Sequence, residues 1–234
     1  MARENIGQNK SYLLLTRGAE AEIYLIDFFN LKSVLKRRLR KPYRDPAYDQ
    51  FFIQHRTKIE TKVLIDLYKQ GLNVPYPLLV DLDNGIIIMK YIEGFRLSDK
   101  LGELPPDKIH NIAIDLGSQI AKMHNMGIYH GDLTLANVIY GSDERTYLID
   151  FGLAGYSNDV EEYAIDLHLM HRSLKALYPR LYNIFMESFL SSYKKYYKGD
   201  FEKVEKKFLE IRTRGRYVDR KLRKTLMGER YVEN

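Results

Sequence analysis

Two short stretches carry oxygen donors at spacings that could do chemistry. In Tyr129-His130-Gly131-Asp132-Leu133-Thr134-Leu135-Ala136-Asn137, an aspartate and an asparagine stand five residues apart, in a loop between a helical and a β-like segment. Eighteen residues after Asp132 comes Ile149-Asp150-Phe151-Gly152. Carboxylate and amide oxygens are hard ligands for a divalent cation such as Mg2+, and a loop carboxylate can accept or orient a proton. Gly152 lets the backbone turn sharply after Asp150. Either tripeptide alone reads as an ordinary turn. The two in order, with short β-pieces between them, point to one site.

The surrounding sequence supplies elements to hold such a site. Tyr12 to Leu35 is rich in Leu, Ile, Tyr and Phe and is broken at Arg17-Gly18-Ala19, which predicts hairpin strands Tyr12–Thr16 and Ile23–Phe28. Lys36 to Arg44 holds six Lys or Arg in nine residues, and Pro42 and Pro46 speak against a helix there. Apolar Phe52, Ile59, Val63, Leu64 and Leu67 predict a helix over Phe51–Gln70, closed by Gly71. Strands follow at Leu78–Asp81 and Gly85–Lys90 around an Asp83-Asn84-Gly85 turn. A helix starts at Pro105-Pro106-Asp107, with Ile109, Ile112, Leu116, Ile120 and Met123 on one stripe, and Gly127 follows it. Two β-pieces, Asn137–Tyr140 and Thr146–Ile149, precede a chain that reads as helical from Val160 onward. The plan is α+β and bilobal. A β-rich lobe spans 1–90, a hinge 91–94, a helical lobe 95–211 and a basic tail 212–234.

Composition narrows the chemistry. Lys and Arg total 37 against 31 Asp and Glu, a formal charge of +6 in 234 residues. That surplus suits an anionic partner, nucleic acid or phosphorylated ligand alike. Cysteine is absent, which excludes disulfides, thiolate metal sites and a cysteine nucleophile. Met1 to Lys10 is polar, without the apolar centre of a signal peptide. No apolar run approaches the roughly 20 residues that span a bilayer. A soluble, cytoplasmic protein is expected.

The H-x-D-x-x-x-x-N loop followed by D-F-G resembles the protein-kinase-like superfamily. The resemblance implies a minimal bilobal kinase-like fold with a truncated second lobe, and ATP and Mg2+ as cofactors. It makes Asp132 the group that accepts or orients the nucleophile's proton, and Asn137 and Asp150 the metal ligands. It also asks for upstream parts. Gly18-Ala19-Glu20-Ala21 would cover the phosphates, with one glycine where typical protein kinases have three. Lys36, in Val34-Leu35-Lys36, would hold the α and β phosphates, and Glu60 would hold Lys36. Met89, Lys90 and Ile92 would line the adenine end, the last two through their backbone. Asp166 would brace the catalytic loop.

More specific residues narrow the family. Lys41-Pro42-Tyr43-Arg44-Asp45-Pro46 with Asp49, the His130–Thr134 loop, and Asp150-Phe151-Gly152-Leu153-Ala154 are similar to the small atypical kinase of the KEOPS complex, the PRPK family. The likeness runs from Gly18 to Gly228. It implies ATP hydrolysis or serine/threonine phosphorylation in support of threonylcarbamoyladenosine formation on tRNA. The implied partners are the threonylcarbamoyl transferase and the other KEOPS subunits. After Gly152 there is no Ala-Pro-Glu and no room for a long activation segment. Two departures stand out: Arg214-Gly215-Arg216 is followed by Tyr217 rather than a base, and Lys90 replaces a common acidic hinge residue. RIO-type kinases fit less well, because Phe151-Gly152 stands where they typically differ. A small-molecule phosphotransferase of the aminoglycoside or sugar type, or a nucleotide-binding scaffold without turnover, are the other readings. From Arg212 to Lys224 there are seven bases and one acid, Asp219. Arg212, Arg214, Arg216, Arg220, Lys221, Arg223 and Lys224, interleaved with Tyr217 and Leu222, would suit tRNA phosphates.

Overall fold

The computed structural model describes residues 3–4 and 12–214. The first lobe is a six-stranded antiparallel sheet crossed by one long helix. β1 (Arg3–Glu4), β2 (Tyr12–Arg17), β3 (Ala21–Phe28) and β4 (Leu31–Arg38) run in sequence order, and β5 (Pro77–Asp81) and β6 (Ile86–Lys90) join beyond β4 in the order β1-β2-β3-β4-β6-β5. Strand alternation sorts the side chains by face. Tyr24, Ile26 and Ile88 form a small cluster on one face. Ile87 and Met89 belong to the main core, with Val34 packed against it. Lys36 and Arg38 are two residues apart, so they share a face, and both are buried.

Helix α1 (Pro46–Lys69) starts five residues before the apolar pattern predicts. Pro46 does not oppose this helix but begins it, because proline is well tolerated in the first turn, where its missing N–H has no partner to lose. Asp45 caps that turn, its carboxylate accepting from the Ala47 and Tyr48 amides at 3.0 and 3.1 Å. Gly71, at φ +75°, leads the chain out of the helix. Asp49, Ile53, Thr57, Glu60, Leu64 and Leu67 are buried along α1 at helical spacing. Two carboxylates therefore sit in an otherwise apolar or hydroxyl stripe.

The second lobe opens with β7 (Gly94–Arg96) and the short α2 (Leu97–Lys100), followed by α3 (Pro106–Asn125). β8 (Ile128–Tyr129) pairs with β11 (Gly155–Tyr156), and β9 (Val138–Gly141) pairs with β10 (Thr146–Leu148) and β7. Helices α4 (Val160–Leu177), α5 (Tyr182–Tyr196) and α6 (Phe201–Arg214) complete it. The expected tail boundary at residue 212 falls inside α6, and Arg212 lies 5.4 Å from the Phe208 ring. Arg216, Arg220, Lys221, Arg223 and Lys224 lie outside the described residues. One continuous core runs from Val63, Leu64 and Leu67 of α1 through Phe151 to Leu116, Ile120, Phe185 and Phe189. The lobes are also pinned by polar bonds. The Leu148 amide donates to the Asn73 carbonyl at 3.0 Å, and the Asn73 amide to Gln119 Oε1 at 3.1 Å. No helix among the described residues is long and apolar enough to cross a membrane.

Three histidines are held neutral inside this lobe. Burial, then the nearby Arg212 charge, pushes His171 down to about 3. Burial likewise lowers His168 and His124. Below their ordinary value of 6.5 these side chains take up protons when unfolded before they do when folded, so stability must fall with pH. The melting temperature is expected to be level near pH 7.5 and to drop steadily from pH 6.5 toward pH 5. A flat profile in thermal denaturation across that range would contradict this burial.

Candidate functional site

The cleft between the lobes gathers four charged side chains from three elements. Lys36 Nζ on β4 lies 2.6 Å from Glu60 Oε1 on α1 and 2.7 Å from Asp150 Oδ1 after β10. Lys36 and Glu60 are nearly inaccessible, whereas the Asp150 side chain is 53% exposed and faces the cleft. Burial opposes the charge on Lys36, but the Glu60 and Asp150 carboxylates outweigh it and raise its pKa. Desolvation also opposes ionisation of Asp150, and the Lys36 charge and hydrogen bond reverse that, holding the carboxyl below its usual range. Arg38, also on β4, takes the other Glu60 oxygen at 2.6 Å. In the sequence Arg38 stands out only as part of a basic run. The further signal it carries there is its two-residue offset from Lys36.

Asp150 itself has φ +61°, a left-handed conformation that short polar residues tolerate better than others. The turn that creates it is tied to the preceding loop by His130. That ring is buried, donates from Nε2 to the Ile149 carbonyl at 3.1 Å and accepts the Asp132 amide at Nδ1 at 3.3 Å. It also packs 4.7 Å from the Phe151 ring. Within the loop, Asn137 Nδ2 donates to the Asp132 carbonyl at 2.8 Å and to Asp132 Oδ2 at 2.9 Å. The amide nitrogen is thereby turned inward, and Asn137 Oδ1 is the atom left to serve as a ligand. Gly131 has φ +77°, and a Cβ there would fall 2.4 Å from the Leu153 carbonyl oxygen. Only glycine allows the loop and the 150–153 turn to approach this closely.

Below the loop lies Asp166 of α4, fully buried. Its carboxylate accepts the His130 amide at 2.6 Å, the Gly131 amide at 2.9 Å and His124 Nε2 at 3.2 Å. His124 in turn accepts from the Tyr193 hydroxyl at 2.8 Å and stacks on Tyr163. Nothing in the sequence alone singles out His124 as the third partner of Asp166. It is one of two buried polar side chains on α3, the other being Gln119.

The remaining expected residues are placed as follows. Gly18, Ala19 and Glu20 form the turn from β2 into β3, whose first residue is Ala21, and the Gly18 amide donates to the Ala21 carbonyl at 2.9 Å. Lys41 Nζ donates to the Ala19 carbonyl. Met89 and Ile92 are buried and Lys90 is exposed at the end of β6. The Lys90 amide is already bonded to the Tyr76 carbonyl at 3.1 Å.

Known proteins resemble this chain along most of its length. A family model described as the RIO domain matches residues 22–165. The chain is 37% identical over 228 residues to the KEOPS complex subunit Bud32 of Pyrococcus abyssi, an alignment covering 94% of this chain and 96% of that protein. The chain belongs to the Bud32 family of RIO-domain proteins. The Bud32-like region also occurs within a longer protein. A probable bifunctional tRNA threonylcarbamoyladenosine biosynthesis protein of Methanobrevibacter smithii is 33% identical over 218 residues, covering 91% of this chain and 39% of that protein. Among solved structures, the Rio2 kinase–ADP/Mg2+–phosphoaspartate complex of Chaetomium thermophilum matches with a TM-score of 0.59 at 17% identity, covering 99% of this chain and 73% of that one. It shares the fold of this Bud32-family chain, a β-sheet lobe joined to a helical lobe.

The RIO match corrects one expectation, that Phe151-Gly152 separates the chain from RIO-type kinases. The matched stretch runs from Glu22 in β3 to Ile165 in α4, and so takes in Lys36, Glu60, the Asp132 loop and Asp150 together. A dipeptide in one turn is a local feature, whereas the fold is set by these elements and the core between them.

Proposed function

We propose that this chain is the kinase-like subunit of a KEOPS assembly. In this reading it transfers the γ-phosphoryl group of ATP, to water or to a protein hydroxyl, in support of threonylcarbamoyladenosine formation on tRNA. The observation that carries the reading is the buried Lys36–Glu60 pair beside the half-exposed Asp150. The names of its relatives, KEOPS complex subunit Bud32 and probable bifunctional tRNA threonylcarbamoyladenosine biosynthesis protein, support the assembly and the modification.

The donor set suits Mg2+. Asp150 offers an ionised carboxylate and Asn137 an amide oxygen. Among the described residues no group of three or more His, Cys, Asp or Glu side chains could hold a metal. Two protein oxygens, from Asp150 and Asn137, would leave the rest of the ion's shell to phosphate oxygens and water. When bound, Mg2+ would neutralise charge on the phosphates. Lys36, steadied by Glu60, would pair with the α and β phosphates. Asp132 has one oxygen taken by Asn137 and would use the other to orient the nucleophile's proton. The Gly18–Ala21 turn would lie over the phosphates. Because the Lys90 amide is occupied, the Lys90 carbonyl and the Ile92 amide are the hinge groups for adenine, against Met89. The threonylcarbamoyl transferase is the partner, tRNA would meet the basic segment at Arg212–Lys224, and the compartment is the cytoplasm.

The decisive experiment measures Mg2+-dependent ATP hydrolysis by the full chain, alone and with the transferase and tRNA. Turnover that rises with both partners is expected. Nucleotide binding without turnover would instead mark a scaffold, and ATP consumption driven by aminoglycosides or sugars a small-molecule kinase. Removing residues 215–234 deletes six basic residues and is expected to weaken tRNA binding and flatten its salt dependence. The log–log slope should fall by about 0.7–0.9 for each phosphate that is no longer neutralised. Unchanged binding and slope would exclude the segment as an RNA-binding element.

A further inference from the structure

Two arginines bind the site together without belonging to any part of the reaction described above. Arg38 is 7% exposed and donates to Glu60 Oε2 at 2.6 Å, while Lys36 holds Oε1 of the same carboxylate. Arg56, four residues before Glu60 on α1, donates from Nη1 to the Gly152 carbonyl at 3.2 Å. The two meet over one glycine. A Cβ on Gly152 would lie 3.2 Å from Asp150 Oδ1, 3.5 Å from Arg38 Nη2 and 3.6 Å from Lys36 Nζ. Arg38 thus fixes α1 to the sheet through Glu60, and Arg56 fixes α1 to the turn carrying Asp150.

Arg56 is itself supported. Its guanidinium lies 5.3 Å from the Phe52 ring, and Arg44 lies 4.5 Å from the same ring. Arg44 pairs at 3.3 Å with the buried Asp49, whose other oxygen accepts the Lys41 amide. The loop from Lys41 to Asp49 therefore buttresses the α1 end of the link.

In protein kinases the Lys–Glu pair and the metal-binding aspartate must both be in place, and phosphorylation of an activation loop commonly controls this. Here Gly152 is followed by β11 at Gly155 and α4 at Val160, which leaves no long loop to do so. We propose that Arg38 and Arg56 are positioning residues that hold Lys36, Glu60 and Asp150 in their reacting arrangement without phosphorylation. The proposal rests on the phosphoryl-transfer reading of the site and adds to it how the site is kept assembled. Arg38 supplies a second cation to a carboxylate that would otherwise be steadied by Lys36 alone, so Glu60 stays in place when Lys36 engages phosphate. Arg56 keeps the Asp150 turn from swinging away from α1.

The test begins with hydrogen–deuterium exchange on the full chain without nucleotide. Arg38→Met and Arg56→Met are each expected to speed exchange about tenfold at residues 57–64 and 150–154, while α3 and α5 stay within about twofold of wild type. Arg56→Lys, which can still donate to the carbonyl, is expected to restore most of the protection. In MgATP turnover with the transferase and tRNA, each methionine variant is expected to lower kcat about tenfold and change KM less than about threefold. Once Glu60→Gln is present, Arg38→Met should add less than about twofold, because both act through one carboxylate. Wild-type protein treated with phosphatase should keep its turnover. Exchange at both segments unchanged in the methionine variants would overturn the proposal. So would protection that falls throughout the molecule, or turnover abolished by the phosphatase. If wild type neither binds nor turns over MgATP, the functional reading fails, and the exchange measurements still judge the arginines.

Discussion

Asp150→Ala is expected to lower MgATP turnover about 10³-fold while the protein stays folded. The carboxylate is held ionised against desolvation by Lys36, and its half-exposed position leaves it accessible to a ligand. A ligand that anchors a catalytic cation contributes several kcal/mol to the transition state, and about 1.4 kcal/mol is tenfold in rate. The fold should survive because Lys36 retains Glu60 at 2.6 Å and the Phe151 core is untouched. Asp150→Asn is the companion variant: asparagine tolerates the φ of +61° about as well as aspartate, so its loss of rate isolates the charge. Steady-state turnover with a melting curve checks both variants. Activity within tenfold of wild type in the alanine variant would overturn the proposed role of Asp150 as a metal ligand.

Asp166→Ala acts on stability rather than on the phosphates. Its carboxylate accepts three donors in a fully buried setting, and alanine would strand two loop amides and one imidazole. Breaking a buried polar cluster of this kind costs about 3–5 kcal/mol. For a chain of this size that corresponds to a fall in melting temperature of roughly 10 °C. Turnover should fall too, because His130 and Gly131 are what Asp166 holds. Asp166→Asn keeps one acceptor and should land between the two. Differential scanning calorimetry of the three proteins decides the matter, and a melting point unchanged on removing the carboxylate would mean the loop is held some other way.

The site is readable in the sequence where chemistry and spacing coincide. Asp132, Asn137 and Asp150 stand in a short motif whose residue types have few other uses in that order. Lys36 and Glu60 are named by the resemblance to kinase-like proteins, which implies a lysine on the third strand and a glutamate on the next helix. Asp166 can be singled out because it is charged on an apolar stripe. Local rules are weaker at boundaries. Pro46 looks like a helix breaker, although with Asp45 before it the same residue begins the helix.

Residue type and periodicity predict a strand-rich part with one long helix followed by a helical part, because these follow from local backbone preference, while the resemblance to kinase-like proteins names the side chains proposed to meet metal and phosphate. They cannot establish which polar groups satisfy one another across the chain. That Arg38 shares Glu60 with Lys36, that Arg56 reaches the Gly152 carbonyl 96 residues away, and that His124 completes the Asp166 cluster are long-range facts. Burial dictates them: once Lys36, Glu60, Asp166 and His124 are sealed from water, each needs a partner nearby. Only packing of the elements decides which residue that partner is.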